Sequence, residues 1–167
     1  MGISFGEFLS KLFLENGATL TIMGGMLALM LGGWGSARGL RVAGAQTTGV
    51  LSEKPELFGK CFVLTILPAT QGLYGFVSMI LIAGRAGVIG SADKVPTPAQ
   101  GIMLFAIGLT AGVVLYFSAV FQGETCAACI NLTGKRPEES GRSLLFPIMV
   151  EFYALLAFLG VIMLYGG

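Results

Sequence analysis

Histidine is absent from all 167 residues. That removes the usual transition-metal ligand and the side chain that most often acts as a general base near neutral pH. Charge is scarce too. Only 11% of residues are Asp, Glu, Lys or Arg, against about 25% in soluble domains. The net charge of +1 offers no basic surface for nucleic acid. Cysteine is limited to three positions. Cys126 and Cys129 form a C-x-x-C, but they lie in a Gly/Ala-rich helical stretch with no second pair to complete a zinc site. They and Cys61 read as small packing residues. No G-x-x-x-x-G-K-[ST] occurs, so the sequence carries no such nucleotide-binding loop. What is abundant is apolar: 54% hydrophobic residues and 26 glycines, with a mean hydropathy of +0.83. This is the composition of an integral membrane protein.

Four apolar stretches run over about Gly17–Ala45, Leu57–Gly84, Pro98–Ile130 and Ser143–Tyr165. Each exceeds the ~20 residues that a helix needs to cross a hydrocarbon core. Helices are expected because no backbone polar group can be left unpaired in lipid. The fold class is therefore all-α, with four transmembrane helices as two tandem hairpins. The divisions are an N-terminal interfacial segment (1–16), a first hairpin (17–84), an external loop (85–97) and a second hairpin (98–167). Glu7, Lys11 and Glu15 interrupt the first segment, which does not read as a secretory signal. The N-terminal myristoylation pattern also fails, because position 6 is Gly. Loops 46–56 and 131–142 with their flanks hold seven Lys/Arg; the remaining polar segments hold three. The positive-inside rule places those two loops in the cytoplasm and both termini outside.

The chain repeats itself. Lys54-Pro55-Glu56 matches Arg136-Pro137-Glu138, and Leu73-Tyr74-Gly75-Phe76 matches Leu155-Leu156-Ala157-Phe158, both at an offset of 82. Pro68 and Pro147 sit at comparable heights. The first stretch also holds Gly24, Gly25, Gly32, Gly33, Gly35 and Gly39, and the third holds Gly108 and Gly112. Such small residues let helix backbones approach closely. They fit packing within one bundle or crowding of many copies around a common centre, with a lean to the ring.

Glu151 breaks the apolar run from Leu144 to Phe158 near its middle. A charge at that depth costs about 2.5–3.5 kcal/mol on insertion scales and marks an ion or proton site by default. Counting about 1.5 Å per residue from the loops brings Thr70, Gln71 and Gln122 to a similar depth. Hydrogen-bonded glue between helices explains Thr and Gln, but not Glu. A hard cation held by one carboxylate and several neutral oxygens explains all four. Pro68 cannot donate a backbone hydrogen bond, so a carbonyl near Leu67 could turn toward the ion. The surplus of neutral oxygens favours Na+ over H+, and a single carboxylate disfavours a divalent ion.

Together, Leu67-Pro68-Ala69-Thr70-Gln71-Gly72-Leu73-Tyr74-Gly75-Phe76, Phe121-Gln122-Gly123 and Met149-Val150-Glu151-Phe152-Tyr153-Ala154 resemble the proteolipid subunit of V-type and A-type rotary ATPases. The resemblance is to the bacterial sodium-translocating branch and covers about residues 17–165. It implies Na+ ligation by the Leu67 carbonyl, Thr70, Gln71, Gln122 and Glu151, with Tyr74 holding the carboxylate and Pro68 supporting. It also implies a rotor ring of many copies set in membrane lipid, a stator subunit with an Arg that displaces the ion, and a central stalk on the cytoplasmic loops. ATP hydrolysis would lie on other subunits, so this chain is a non-catalytic ion carrier. With one carboxylate per four helices, such a ring moves fewer ions per turn, a gear suited to pumping against steep gradients. A proton-carrying ring is the nearest alternative, and a stand-alone four-helix channel or exchanger a further one. Phe152 stands where a smaller residue is expected. Glu124, about 200° round the helix from Gln122, reads as solvated near the ring interior or the cytoplasmic end and not as a ligand.

Overall fold

A computed structural model describes residues 4–13, 15–87 and 95–165. Asp93 and Lys94, assigned above to the external loop, lie outside the described residues. The chain begins with a short exposed helix, α1 (Phe5–Phe13). Ser4 and Glu7 cap it reciprocally: Ser4 N–H donates to Glu7 Oε2 at 2.9 Å, and Glu7 N–H to Ser4 Oγ at 3.2 Å. Then come α2 (Ala18–Glu53), α3 (Phe58–Ile66), α4 (Thr70–Gly84), α5 (Pro98–Lys135), α6 (Ser140–Ser143) and α7 (Leu145–Tyr165). Counting the short turns between them as continuous, four spans are long and apolar enough to cross a membrane: Ala18–Glu53, Pro55–Gly84, Pro98–Lys135 and Pro137–Leu164. The chain is a multi-pass membrane protein of all-α fold.

The helices outrun the apolar stretches. Hydropathy places the ends of the first and third near Ala45 and Ile130, but α2 continues to Glu53 and α5 to Lys135. Loops 46–56 and 131–142 thereby shrink to tight turns. A hydropathy pattern ends where lipid ends, whereas a helix ends where the backbone is stopped. Here the stop is proline, which drives the residue before it out of the α region. Lys54 precedes Pro55 at φ −135°, ψ 71°, and Arg136 precedes Pro137 at φ −137°, ψ 82°. The two turns of the repeat share one backbone geometry. They also lie together: Lys54 Nζ donates to the Gly134 carbonyl, and Lys60 Nζ to that of Pro137 at 2.9 Å. At the opposite end α5 starts with a Thr97/Gln100 capping box and Pro98 in its first turn.

Two glycine-lined helices form the spine. α2 packs along its length on α5, with α4 and α7 applied outside them. A Cβ on Gly108 would lie 2.1 Å from the Gly24 carbonyl oxygen, and one on Gly123 would lie 2.3 Å from the Gly39 Cα. The backbones are in contact, and no larger residue fits. Of the six glycines singled out on α2, Gly24, Gly35 and Gly39 face α5, while Gly25 and Gly32 face α4. Five of the six thus serve packing inside the chain; only Gly33 stays open. Two buried apolar clusters follow. One, near the proline turns, includes Ala43, Leu57, Cys61, Leu64, Cys126, Cys129 and Ile130. The other, toward the far end, holds Ile82, Leu104, Ala111 and Val161. A polar layer lies between them.

Candidate functional site

The polar layer forms where the outer helices are interrupted. Pro68 has no N–H to give to the preceding turn. The chain tightens into a 3-10 turn over Leu67–Ala69 and restarts as α4 at Thr70. The first N–H groups of a new helical segment lack internal partners, and one of them, Gly72 N–H, is met by Ser36 Oγ of α2 at 2.7 Å. The turn therefore presents Thr70 and Gln71 toward the second hairpin. There α6 ends at Ser143 and α7 restarts at Leu145, with the buried Pro147 one turn before Glu151.

Three donors from two neighbouring helices converge on one oxygen of Glu151. Gln122 Nε2 donates to Oε2 at 2.6 Å, Thr70 Oγ1 at 2.9 Å and Gln71 Nε2 at 3.1 Å. The glutamines use their remaining amide hydrogens nearby. Gln71 Nε2 also donates to Gln122 Oε1 at 2.7 Å, and Gln122 Nε2 to the Pro147 carbonyl at 3.0 Å. Both glutamines are completely buried. Hydrogen bonds to a charged acceptor contribute about 1.5–3 kcal/mol each, and three of them hold the carboxylate in one orientation.

The acceptors are not balanced. Glu151 Oε1 and Gln71 Oε1 are buried and have no hydrogen-bond donor. Leaving such groups unmet costs about 1–3 kcal/mol apiece, more when charged. Apart from the Tyr74 hydroxyl beside the carboxylate, a cation would meet that need.

Of the residues the sequence singles out, Glu151, Gln122, Gln71 and Thr70 are in direct contact here. The Leu67 carbonyl joins through Thr70, whose hydroxyl also lies 3.0 Å from it. Tyr74 stands beside the carboxylate and stacks on Phe158, ring centres 5.3 Å apart. Phe152 points outward and is exposed, so it does not cover the site. Glu124 is exposed on α5, away from Glu151. Two positioning residues escape a reading of sequence alone. Ser36 meets the open N–H of the α4 start, and Ser118 Oγ donates to the Val150 carbonyl beside Glu151 at 3.2 Å. They are 82 apart, so the repeat extended upstream points to both.

The same offset appears in the comparison with known families. The pattern of the ATP synthase C subunit matches twice, over residues 23–82 and 105–164. This chain belongs to that family. As a member it is a membrane proteolipid, a non-catalytic, ion-translocating rotor-ring component of the V/A-type ATPase class. It is 34% identical over 144 residues to the V-type sodium ATPase subunit K of Enterococcus hirae, covering 86% of this chain and 88% of that one. It is 34% identical over 148 residues to the A-type ATP synthase subunit K of Methanocaldococcus jannaschii, covering 89% of this chain and 62% of the other. The 16 kDa proteolipid of the V-type proton ATPase of Nephrops norvegicus is 26% identical over 146 residues, with 86% and 88% covered. Among the described residues no group of three or more His, Cys, Asp or Glu could hold a metal ion. Any cation held in this family member would thus rest on one carboxylate and neutral oxygens.

Proposed function

We propose that this proteolipid binds one Na+ per chain at Glu151 and carries it through the membrane as a ring of copies turns. The observation that carries the reading is the pair of buried acceptors, Glu151 Oε1 and Gln71 Oε1, set beside a carboxylate whose other oxygen is already saturated with donors. A hard monovalent cation satisfies both oxygens and cancels the charge. Thr70, Gln122 and the Leu67 carbonyl offer the remaining oxygens, with Pro68 shaping the turn and Tyr74 bracing the carboxylate. Likeness to a relative named as part of a sodium ATPase supports the choice of ion. Likeness to a proton ATPase proteolipid keeps H+ as the second reading.

Loading controls motion through solvation. An ionised Glu151 facing lipid is costly, whereas a neutralised site is tolerated. The ring then travels loaded through lipid and unloads beside a stator subunit, where a fixed Arg displaces the ion. The proline turns at Lys54–Leu57 and Arg136–Glu139 face the cytoplasm in this reading and take up torque from a central stalk driven by ATP hydrolysis elsewhere. Both termini lie on the other side.

Carbodiimide labelling of the purified protein in detergent, with the modified residue located by mass spectrometry, tests the ion. The reagent attacks a protonated, accessible carboxyl. Expected is labelling of Glu151 that quickens with acid and is suppressed by Na+ but not K+. Labelling indifferent to Na+ sinks the sodium reading and leaves the proton ring. Cation flux in liposomes holding this chain alone would instead favour a stand-alone channel.

A further inference from the structure

Two charges at membrane depth take no part in the ion site. Arg41 on α2 and Glu124 on α5 are both exposed. Neither makes an ion pair or side-chain hydrogen bond among the described residues, where the salt bridge found is Arg142–Glu139. Glu124 lies six residues before Ile130, where the third apolar stretch ends. That is about 9 Å along the helix, inside the apolar span. Nearby Arg38 is already engaged, its Nη1 donating to Tyr116 Oη at 3.0 Å.

The two charges are matched in height. α2 and α5 run side by side with Gly39 against Ala119 and Gly123. The offset of 82 then sets Arg41 level with Gly123, one residue from Glu124. They are not matched in direction. At about 100° per residue, each lies roughly 120–130° round from the α2–α5 seam, on the face away from α4 and α7. The seam separates them within one chain. Each borders the free flank of its helix instead.

Those flanks are complementary. On α2 the flank opposite α5 carries Gly33 and Gly44, where a Cβ would meet nothing within 4 Å. On α5 the flank opposite α2 carries the stacked rings of Phe117 and Phe121, 5.9 Å apart and half exposed. By the offset of 82, the Phe117 and Phe121 rings lie at heights between those of Gly33 and Gly44. Farther from the proline turns, the α5 flank deepens into an apolar groove of about 370 Å³ lined by Met103, Ile107, Thr110, Val114, Gly160 and Leu164.

We propose that Arg41 of one copy pairs with Glu124 of the next copy on the inner face of the ring, fixing the register of copy on copy. The inference rests on the ring reading above. The occupant of the flank is a second copy of this chain, because only that partner brings the opposite charge to the same height together with the matching relief. A pair withdrawn from water costs little when both members are present and much when one is lost.

Native mass spectrometry of the protein in detergent, with Arg41→Glu, Glu124→Arg and the double exchange, tests the pair. Expected is a ring for the unaltered protein, loss of most of it for each single variant, and its return in the double exchange. Thiol cross-linking gives a second readout. In a background with Cys61, Cys126 and Cys129 replaced by Ala, chains carrying Arg41→Cys are co-expressed with chains carrying Glu124→Cys. A short bis-maleimide should join one to the other. A ring unaffected by either single exchange, with no cross-link between chains, overturns the pair while the ring stands. Loss with Arg41→Glu that the double exchange does not repair points to a lipid phosphate on Arg41 and also overturns it. No ring from the unaltered protein removes the ring reading itself, and the pair with it.

Discussion

The two hairpins share a backbone and divide a site between them. Position by position at an offset of 82, Glu151 faces Ala69 in the repeat and Gln122 faces Leu40, while Thr70 and Gln71 face Phe152 and Tyr153. The second hairpin supplies the charge and one amide; the first supplies a hydroxyl, another amide and a loosened turn. The serines that support these elements, Ser36 and Ser118, are kept in both halves. The scaffold is common to the two halves of the repeat, and the chemistry is partitioned between them. One site carboxylate therefore serves four helices, and its partners come from both halves of the same chain. In the proposed ring each copy is complete as an ion carrier.

The sharpest way to break that division is to give the first hairpin an acid of its own. Ala69→Glu places a carboxylate where the repeat offers Leu40 and Phe152 in place of Gln122 and Thr70. With the amide and threonine donors replaced by Leu40 and Phe152, and only the Tyr153 hydroxyl left in the correspondence, the acid should cost about 2.5–3.5 kcal/mol. The expected result is a roughly hundredfold shift away from assembled ring, measured as ring yield after mild detergent extraction. Adding Leu40→Gln should recover part of it. An Ala69→Glu ring of normal yield would show that the first hairpin can house a charge without the second hairpin's partners.

Making the second hairpin resemble the first is the next step. Gln122→Leu removes the 2.6 Å bond to Glu151 and leaves Gln71 Nε2 without one of its acceptors. Loss of a bond to a charged group is worth about 1.5–3 kcal/mol, or roughly 10–100-fold in affinity. Na+ protection of Glu151 from carbodiimide should require that much more salt, while the glycine seam keeps the four-helix bundle packed. Unchanged protection would remove Gln122 from the ion site.

Much of this is legible without coordinates. Four long apolar runs, two Pro-Glu turns and the acid in the middle of the fourth run give the number of spans, their tandem arrangement and the level of the site. Glu151, Thr70, Gln71 and Gln122 can be brought together because depth counts linearly along a helix. Helix ends are misjudged because apolar composition reports the solvent and not the backbone stop at Pro55 and Pro137. The glycines on α2 are ambiguous because a helix has several faces, and sequence does not say whether the neighbour is α5 of the same chain or of another. The saturation of Glu151 Oε2 beside an unmet Oε1 is a matter of side-chain geometry, and no spacing rule reports it.

The smallest expected effect concerns the turn that makes the hairpins unequal. Pro68→Ala restores an N–H that can reach the preceding turn, so the 3-10 segment Leu67–Ala69 can relax to α. A 3-10 turn advances about 120° per residue and an α-helix about 100°, so three residues accumulate a difference near 60°. Full relaxation would swing Thr70 and Gln71 off Glu151. Two contacts resist it: the Gly72 N–H bond to Ser36, at 2.7 Å, and the bonds of Thr70 and Gln71 to Oε2. The balance is a site weakened and not abolished. Na+ protection should need a few-fold more salt, with ring yield unchanged. Combining Pro68→Ala with Ser36→Ala removes one restraint, and protection should then fall by more than the two single changes together. Strict additivity would mean that Ser36 and Pro68 act on separate elements, and that the first hairpin's contribution does not depend on the loosened turn.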